Sequence, residues 1–237
     1  MQATAWSSTY EGRTRARTYE LRAAPEASLD RRLTEITTCR ICRDAPVASA
    51  PLSHDPRPVL RAAKSARILI AGQAPGKRVH ASGVPYADRS GDRLREWLDI
   101  SEPDFYDASR VAIVPMSFCF PGLSAAGADL PPRPECAATW HERLFEQLTA
   151  IELVLAIGRF AQFHHFRRLG LRQWLKPSLD ETMRSWKQIH NARARPHVMP
   201  LPHPSWHNTR WLKSNPWFEA ELLSVLRDEA KTLITSD

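Results

Sequence analysis

Four cysteines and two proline-rich loops carry the side chains of this chain whose types and spacing permit chemistry. Cys39 and Cys42 form a C-x2-C pair, and Cys119 and Cys136 follow with sixteen residues between them. A C-x2-C pair gives two thiolates the local reach to hold one metal centre, and a folded chain can bring a second pair to it. Four thiolates suit a zinc ion, and they equally suit an iron-sulfur cluster shielded from solvent by the apolar neighbours Phe118 and Phe120. Two further readings stand beside these. Cys39 and Cys42 form a dithiol redox pair whose thiol pKa is lowered by Arg40 and Arg43, or the four are unrelated core cysteines. Spacing alone does not choose between zinc and iron.

The loops are "ILIAGQAPGKRVHASGVPY", residues 68 to 86, and "MPLPHPSWHNTRW", residues 199 to 211. Each runs from an apolar stretch into prolines and then presents histidine: His80 with Tyr86 in the first, and His203, Ser205 and His207 in the second. Histidine is the side chain that changes charge nearest neutral pH, so a loop histidine beside a rigid turn is a candidate for acid, base or hydrogen-bond chemistry. If the two loops meet, they form one site.

The elements that position them are legible in the hydrophobic pattern. "ARILIAG" (66 to 72), "RVAIVPM" (110 to 116), "IELVLAIG" (151 to 158) and "HVMPLPH" (197 to 203) are near-continuously apolar, as strands buried on both faces of a parallel sheet are. Helical segments are expected at about 91–99, 134–149, 159–190 with a break near Pro177, and 215–233. Another precedes the first strand, with Ser28 as its N-cap. Alternating strands and helices predict an α/β three-layer αβα sandwich around a four-stranded parallel sheet. Ligands of such sheets gather beyond the carboxyl ends of the strands, which makes the loops after the first, second and fourth runs the site candidates.

With 237 residues, 43% of them hydrophobic, the chain can bury a sizeable core. Residues 1–27 read as a mobile N-terminal extension without the apolar core of a secretory signal, and 28–237 as a single domain. Lys and Arg number 33 against 26 Asp and Glu, a balance that favours a polyanion as partner. No apolar run approaches the roughly 20 residues that span a bilayer. The expectation is a cytoplasmic monomer whose thiols sit in a reducing compartment.

The ordered set of Cys39, Cys42, Cys119 and Cys136, "GQAPG" (72 to 76), "GVPY" (83 to 86) leading into "SGDRL", and "HPS" (203 to 205) resembles the iron-sulfur branch of the uracil-DNA glycosylase superfamily over about residues 33–230. The resemblance implies a base-excision-repair enzyme that flips a deaminated or damaged base out of DNA and hydrolyses its bond to deoxyribose. It also implies a 4Fe-4S cluster on the four cysteines. The tight turn made by Gly72, Pro75 and Gly76 then lets the backbone, Ala74 included, approach the flipped base, and Tyr86, where the family has Phe, stacks on it. His203 stabilises the charge on the departing base and Ser205 grips a flanking phosphate. Trp206, His207 and Asn208 enter the gap left by the nucleotide, and Arg210 with Lys213 attracts the backbone.

Two departures from the family pattern qualify this. Gln73 replaces the glutamate of G-E-A-P-G, and Val79 and His80 stand where an acidic pair follows. His80 is then the nearest replacement for a water-activating carboxylate, or a nucleophile toward the sugar. Pro115 stands where uracil-acting relatives place a base-reading asparagine, which removes side-chain and backbone donors together; Ser117 or Asn208 would have to substitute. A lesion or abasic-site binding protein without catalysis is the alternative. Of the remaining residues, Trp186, Trp211 and Trp217 read as core, "HHFRR" (164 to 168) as the solvated end of a helix, and "RARTYELR" as part of the extension.

Overall fold

The computed structural model describes residues 28–235, so the N-terminal extension expected at 1–27 lies outside the described residues. Four strands, β1 (Ile68–Ala71), β2 (Val111–Ile113), β3 (Leu153–Ile157) and β4 (His197–Leu201), form one sheet in the order β2-β1-β3-β4. All three pairings are parallel, with Ile68 opposite Val111 and Leu153, and Leu153 opposite His197. Each strand lies inside the apolar run expected to form it.

Alternation along the strands divides the core in two, because successive side chains point to opposite faces. Leu69, Ala71, Ala112, Val114, Val154, Ala156 and Val198 face one side; Ile68, Ile70, Val111, Ile113, Leu153, Leu155, Ile157, Met199 and Leu201 face the other. The first face carries small residues, and the helices over it supply bulk in return through Trp140, Phe145 and Phe166.

The helices are α1 (Leu29–Thr37), α2 (Ile41–Asp44), α3 (Lys77–Ser82), α4 (Arg89–Leu98), α5 (Glu102–Tyr106), α6 (Pro134–Phe145), α7 (Gly158–Arg168), α8 (Leu179–Arg184), α9 (Trp186–His190), α10 (Thr209–Ser214) and α11 (Leu223–Thr235). Ser28 caps α1 by accepting from the Arg31 amide at 3.4 Å, as its residue type predicts. The expected 159–190 segment, with its break near Pro177, divides further into three helices and a 3-10 turn at Arg172–Trp174, since Gly170 adopts a positive φ of 72° and Ser178 and Ser185 begin new helices. The loop presenting His80 is largely α3 itself, a short helix that ends where Gly83 turns left-handed at φ 75°. Among the described residues no helix is long and apolar enough to cross a membrane.

Candidate active site at the carboxyl end of the sheet

The turn after β1 is held by β2's continuation: Met116 N–H donates to Gly72 O at 2.9 Å and Ser117 N–H to Gln73 O at 3.1 Å. It is also tightly packed. A Cβ on Gly72 would lie 2.6 Å from the Tyr86 hydroxyl, and one on Gly91 would lie 1.8 Å from the Tyr86 carbonyl oxygen. Both positions therefore require glycine. Tyr86 itself has φ 55°, its ring packs edge-on against Phe105 at 6.0 Å, and burial pushes its hydroxyl pKa up.

The turn after β4 is braced from α4. Arg93 donates to Ser205 O at 2.9 Å, and Asn208 Nδ2 donates to His203 O at 2.7 Å. Burial holds His203 below its ordinary pKa of 6.5, against the opposing charges of Asp88 and Asp129, so the imidazole is neutral at neutral pH. Asp88 is the N-cap of α4, accepting from the Ser90 and Gly91 amides at 2.9 and 3.1 Å. Asp129 comes from the connection between β2 and α6, and a Cβ on Gly76 would lie 3.9 Å from its Oδ2. The β1 turn, the β4 turn and two carboxylates thus converge beyond the carboxyl ends of the strands. Neither acid was foreseen from sequence. Asp88 had a visible signal, a capping residue before "RSGD", whereas Asp129 sits in a loop whose path no local pattern reports.

His80 faces a different neighbour. Its ring lies edge-on to His54 at 4.7 Å and tilted against Phe120 at 5.9 Å, and its Nδ1 is buried without a hydrogen-bond partner. Burial, then His54 and Arg57, lowers its pKa below 6.5. Arg57 also accounts for the end of α3, donating to His80 O at 2.9 Å and to Ser82 O at 3.2 Å. The outer surface of the β4 turn carries Trp206, 71% exposed and in contact with the His207 ring at 3.8 Å, with Arg210 exposed beyond it.

All four cysteines line one small, partly open pocket with Ile41, Pro56, Pro58, Phe118 and Trp140. Their sulfurs do not close into a tight set. Among the described residues the sole trio of metal-type donor atoms lying within 4.8 Å of one another is His190, His197 and Glu229. A tetrahedral zinc site, with Zn–S near 2.3 Å, would bring its sulfurs to about 3.8 Å of one another. No three of the described cysteine sulfurs meet that spacing. Two of the sulfurs accept backbone hydrogen bonds, Cys136 Sγ from the Phe118 amide at 3.3 Å and Cys119 from the Arg57 amide. Glu135 accepts from the Val47, Ala48 and Ser49 amides at 3.2, 2.9 and 3.1 Å, which pins the loop after Cys42 against α6.

The lowering of the Cys42 thiol expected from Arg40 and Arg43 is not seen. Burial pushes Cys42 up to about 11 and Cys119 to about 12, while Arg40 pairs with Asp44 and Asp55 and Arg43 with Asp55. "HHFRR" does end a helix, with Arg168 exposed in its last turn, but its histidines are not solvated: His165 is fully buried, and His164 packs against it and against His141, each pair of ring centroids 5.0 Å apart. Periodicity missed this because α7 carries no clean apolar stripe: polar and charged residues are interspersed along it, and His165 is buried where Phe145 of α6 packs on its ring. Trp186 is core as expected, and Trp211 and Trp217 pack partly buried against the same cluster.

Residues 60–227 match the family model described as Uracil DNA glycosylase superfamily, over more than half the chain. The chain belongs to the uracil DNA glycosylase superfamily. The superfamily match begins eight residues before β1 and runs into α11, so it takes in the β1 turn, both carboxylates, Cys119, Cys136 and the β4 turn.

Proposed function

We propose that this superfamily member is a DNA glycosylase of base-excision repair that flips a deaminated or damaged base and releases it by hydrolysis. The observation that carries the reading is the convergence of neutral His203 with the glycine-lined β1 turn at the carboxyl end of the sheet. As the glycosidic bond breaks, its electron pair leaves on the base. A neutral imidazole donates a hydrogen bond to that growing anion without first surrendering a proton. Tyr86 supplies the stacking face, Gly72 and Ala74 the close backbone approach, and Ser205 a phosphate contact. Exposed Trp206 and His207 fill the gap left by the flipped nucleotide.

The four-cysteine pocket supports a 4Fe-4S cluster held by Cys39, Cys42, Cys119 and Cys136; zinc is the alternative. Thiolate ligands need deprotonation, and raised thiol pKa values mean that only a strongly bound cationic centre would supply it. Such a centre, when bound, contributes cross-linking and no hydrolysis: it ties α2 to the Cys119–Cys136 segment, whose loop leads to the site. Cys119→Ser is expected to abolish broad absorption near roughly 400 nm; an unchanged spectrum refutes cluster ligation, and metal analysis showing zinc without iron selects the alternative.

One observation favours the second reading, a lesion-binding protein of weak or no activity. The candidate substitutes for the missing asparagine are engaged elsewhere: Ser117 Oγ donates to Cys119 O at 3.0 Å and Asn208 to His203 O. Loss of base-edge donors lowers discrimination, so strict uracil specificity is not expected. Incubation with single- and double-stranded oligonucleotides carrying uracil, hypoxanthine or xanthine decides. Strand scission after alkali establishes the enzyme, and a gel shift without scission establishes the binding protein.

A further inference from the structure

We infer that Asp129 is the carboxylate that takes the proton of the attacking water, and that Gln73 positions it; the inference rests on the glycosylase reading. The other polar groups around the site are already engaged. Asp88 accepts two α4 amides through Oδ1. Gln73 donates from Nε2 to Leu130 O at 3.3 Å, so its side chain points at the loop and is engaged there. His80 lies against His54 and Phe120. Among the described residues the Asp129 carboxylate makes no hydrogen bond and no ion pair, yet it lies over Gly76 with Asp88 and His203 as its titratable neighbours.

Its placement is built into the loop. Residues 122–130 fold back on themselves: Leu130 N–H donates to Gly122 O at 3.0 Å, Ser124 N–H to Ala128 O at 2.8 Å, and Leu123 bridges Asp129 antiparallel, with Gly127 at φ 77° making the turn. The base of this fold-back meets the β1 turn through the Gln73 to Leu130 bond. A glutamate at position 73, as in G-E-A-P-G, could not donate to that carbonyl. The amide therefore does two things at once: it removes a carboxylate from the β1 turn and fastens the loop that brings another. Asp129 remains exposed to solvent; partial desolvation beside the β1 turn raises its pKa, partly offset by His203 and reinforced by Asp88, which moves it toward the range where a general base works best.

In the step itself a water O–H bond breaks, the proton passes to Asp129, and the water oxygen bonds to the sugar carbon. The bond from that carbon to the base nitrogen breaks with its electron pair leaving on the base, which His203 faces. No other reactant is needed.

The test is single-turnover release of base from the oligonucleotide panel, read beside binding to an abasic-site duplex. Wild type that releases none of the bases overturns the enzyme reading and this assignment with it. Given an active wild type, Asp129→Asn is expected to slow release by roughly 10² to 10⁴-fold, to keep abasic-site affinity, and to lose the acidic limb of the pH-rate profile. Gln73→Glu is expected to slow release less, with that limb shifted. Asp129→Asn at the wild-type rate overturns the assignment while leaving the glycosylase reading intact, as does His80→Gln abolishing release when Asp129→Asn does not. Circular dichroism and thermal melts matching wild type establish that each variant is folded.

Discussion

At the scale of single residues, Gly72 and Tyr86 act as one unit. The Tyr86 hydroxyl occupies the volume that a methyl group at 72 would need, and the ring is held from behind by Phe105. Gly72→Ala is therefore expected to destabilise the chain by about 1–3 kcal/mol through overpacking. Removing the hydroxyl in a Gly72→Ala, Tyr86→Phe double variant is expected to restore most of that, because the next ring atom stands 3.6 Å from the added carbon. Urea melts of the two singles and the double close the cycle; a double no better than Gly72→Ala would mean that the backbone, not the ring, sets the spacing. Gly72 was singled out by its place in "GQAPG". That Tyr86 is the neighbour demanding it needed coordinates, since φ 55° at a tyrosine is a conformation no propensity anticipates.

At the scale of elements, α9, β4 and α11 are joined at the amino end of the sheet, opposite the candidate site. Glu229 of α11 accepts from His190 Nε2 at 2.7 Å and from His197 Nδ1 at 3.1 Å. The hydrogen bond from Glu229 holds His190 above its ordinary 6.5. Burial pushes Glu229 up, but the two histidines outweigh it and hold the carboxyl below its ordinary 4.5. The histidine contribution is fully present below 6.5 and fades as pH rises through the folded value; the carboxylate contribution is present above 4.5 and fades as pH falls through its own. Glu229→Gln should therefore cost most between these limits, about 1–2 kcal/mol at pH 5.5, and less at pH 8. Chemical denaturation at both values measures it, and equal losses would deny the charge pairing. The strands and long helices of this region were legible from apolar periodicity. The pairing of His190 with a residue 39 positions later was not, because no local spacing encodes it.

At the scale of the molecule, the buried histidines oppose acid. Burial lowers His141 to about 3, His164 to about 4 and His165 well below its ordinary 6.5. A group held below its unfolded pKa binds its proton more readily in the unfolded chain, so stability is full above 6.5 and falls as pH drops below it. Each histidine contributes up to about 1.4 kcal/mol per pH unit. His165 has no partner at either ring nitrogen. His165→Leu is therefore expected to lower the acid-unfolding midpoint while leaving stability at pH 8 equal or higher. A midpoint unchanged in acid titrations followed by circular dichroism would refute this. "HHFRR" was misread because charged neighbours dominate its composition, while burial depends on which helix covers α7.

What the sequence determined by itself is what repeats or lies close along the chain. Apolar runs specify buried parallel strands, capping residues specify helix starts, and ordered motifs point to the superfamily, because each depends on side chains a few positions apart. Tertiary structure alone decided what those elements bring together. It set Asp129 beside His203, turned Gln73 toward Leu130, placed His80 against His54, and gathered the four cysteines around one pocket without closing their sulfurs tightly. These are contacts between distant segments, and their geometry follows from how the layers pack over the sheet.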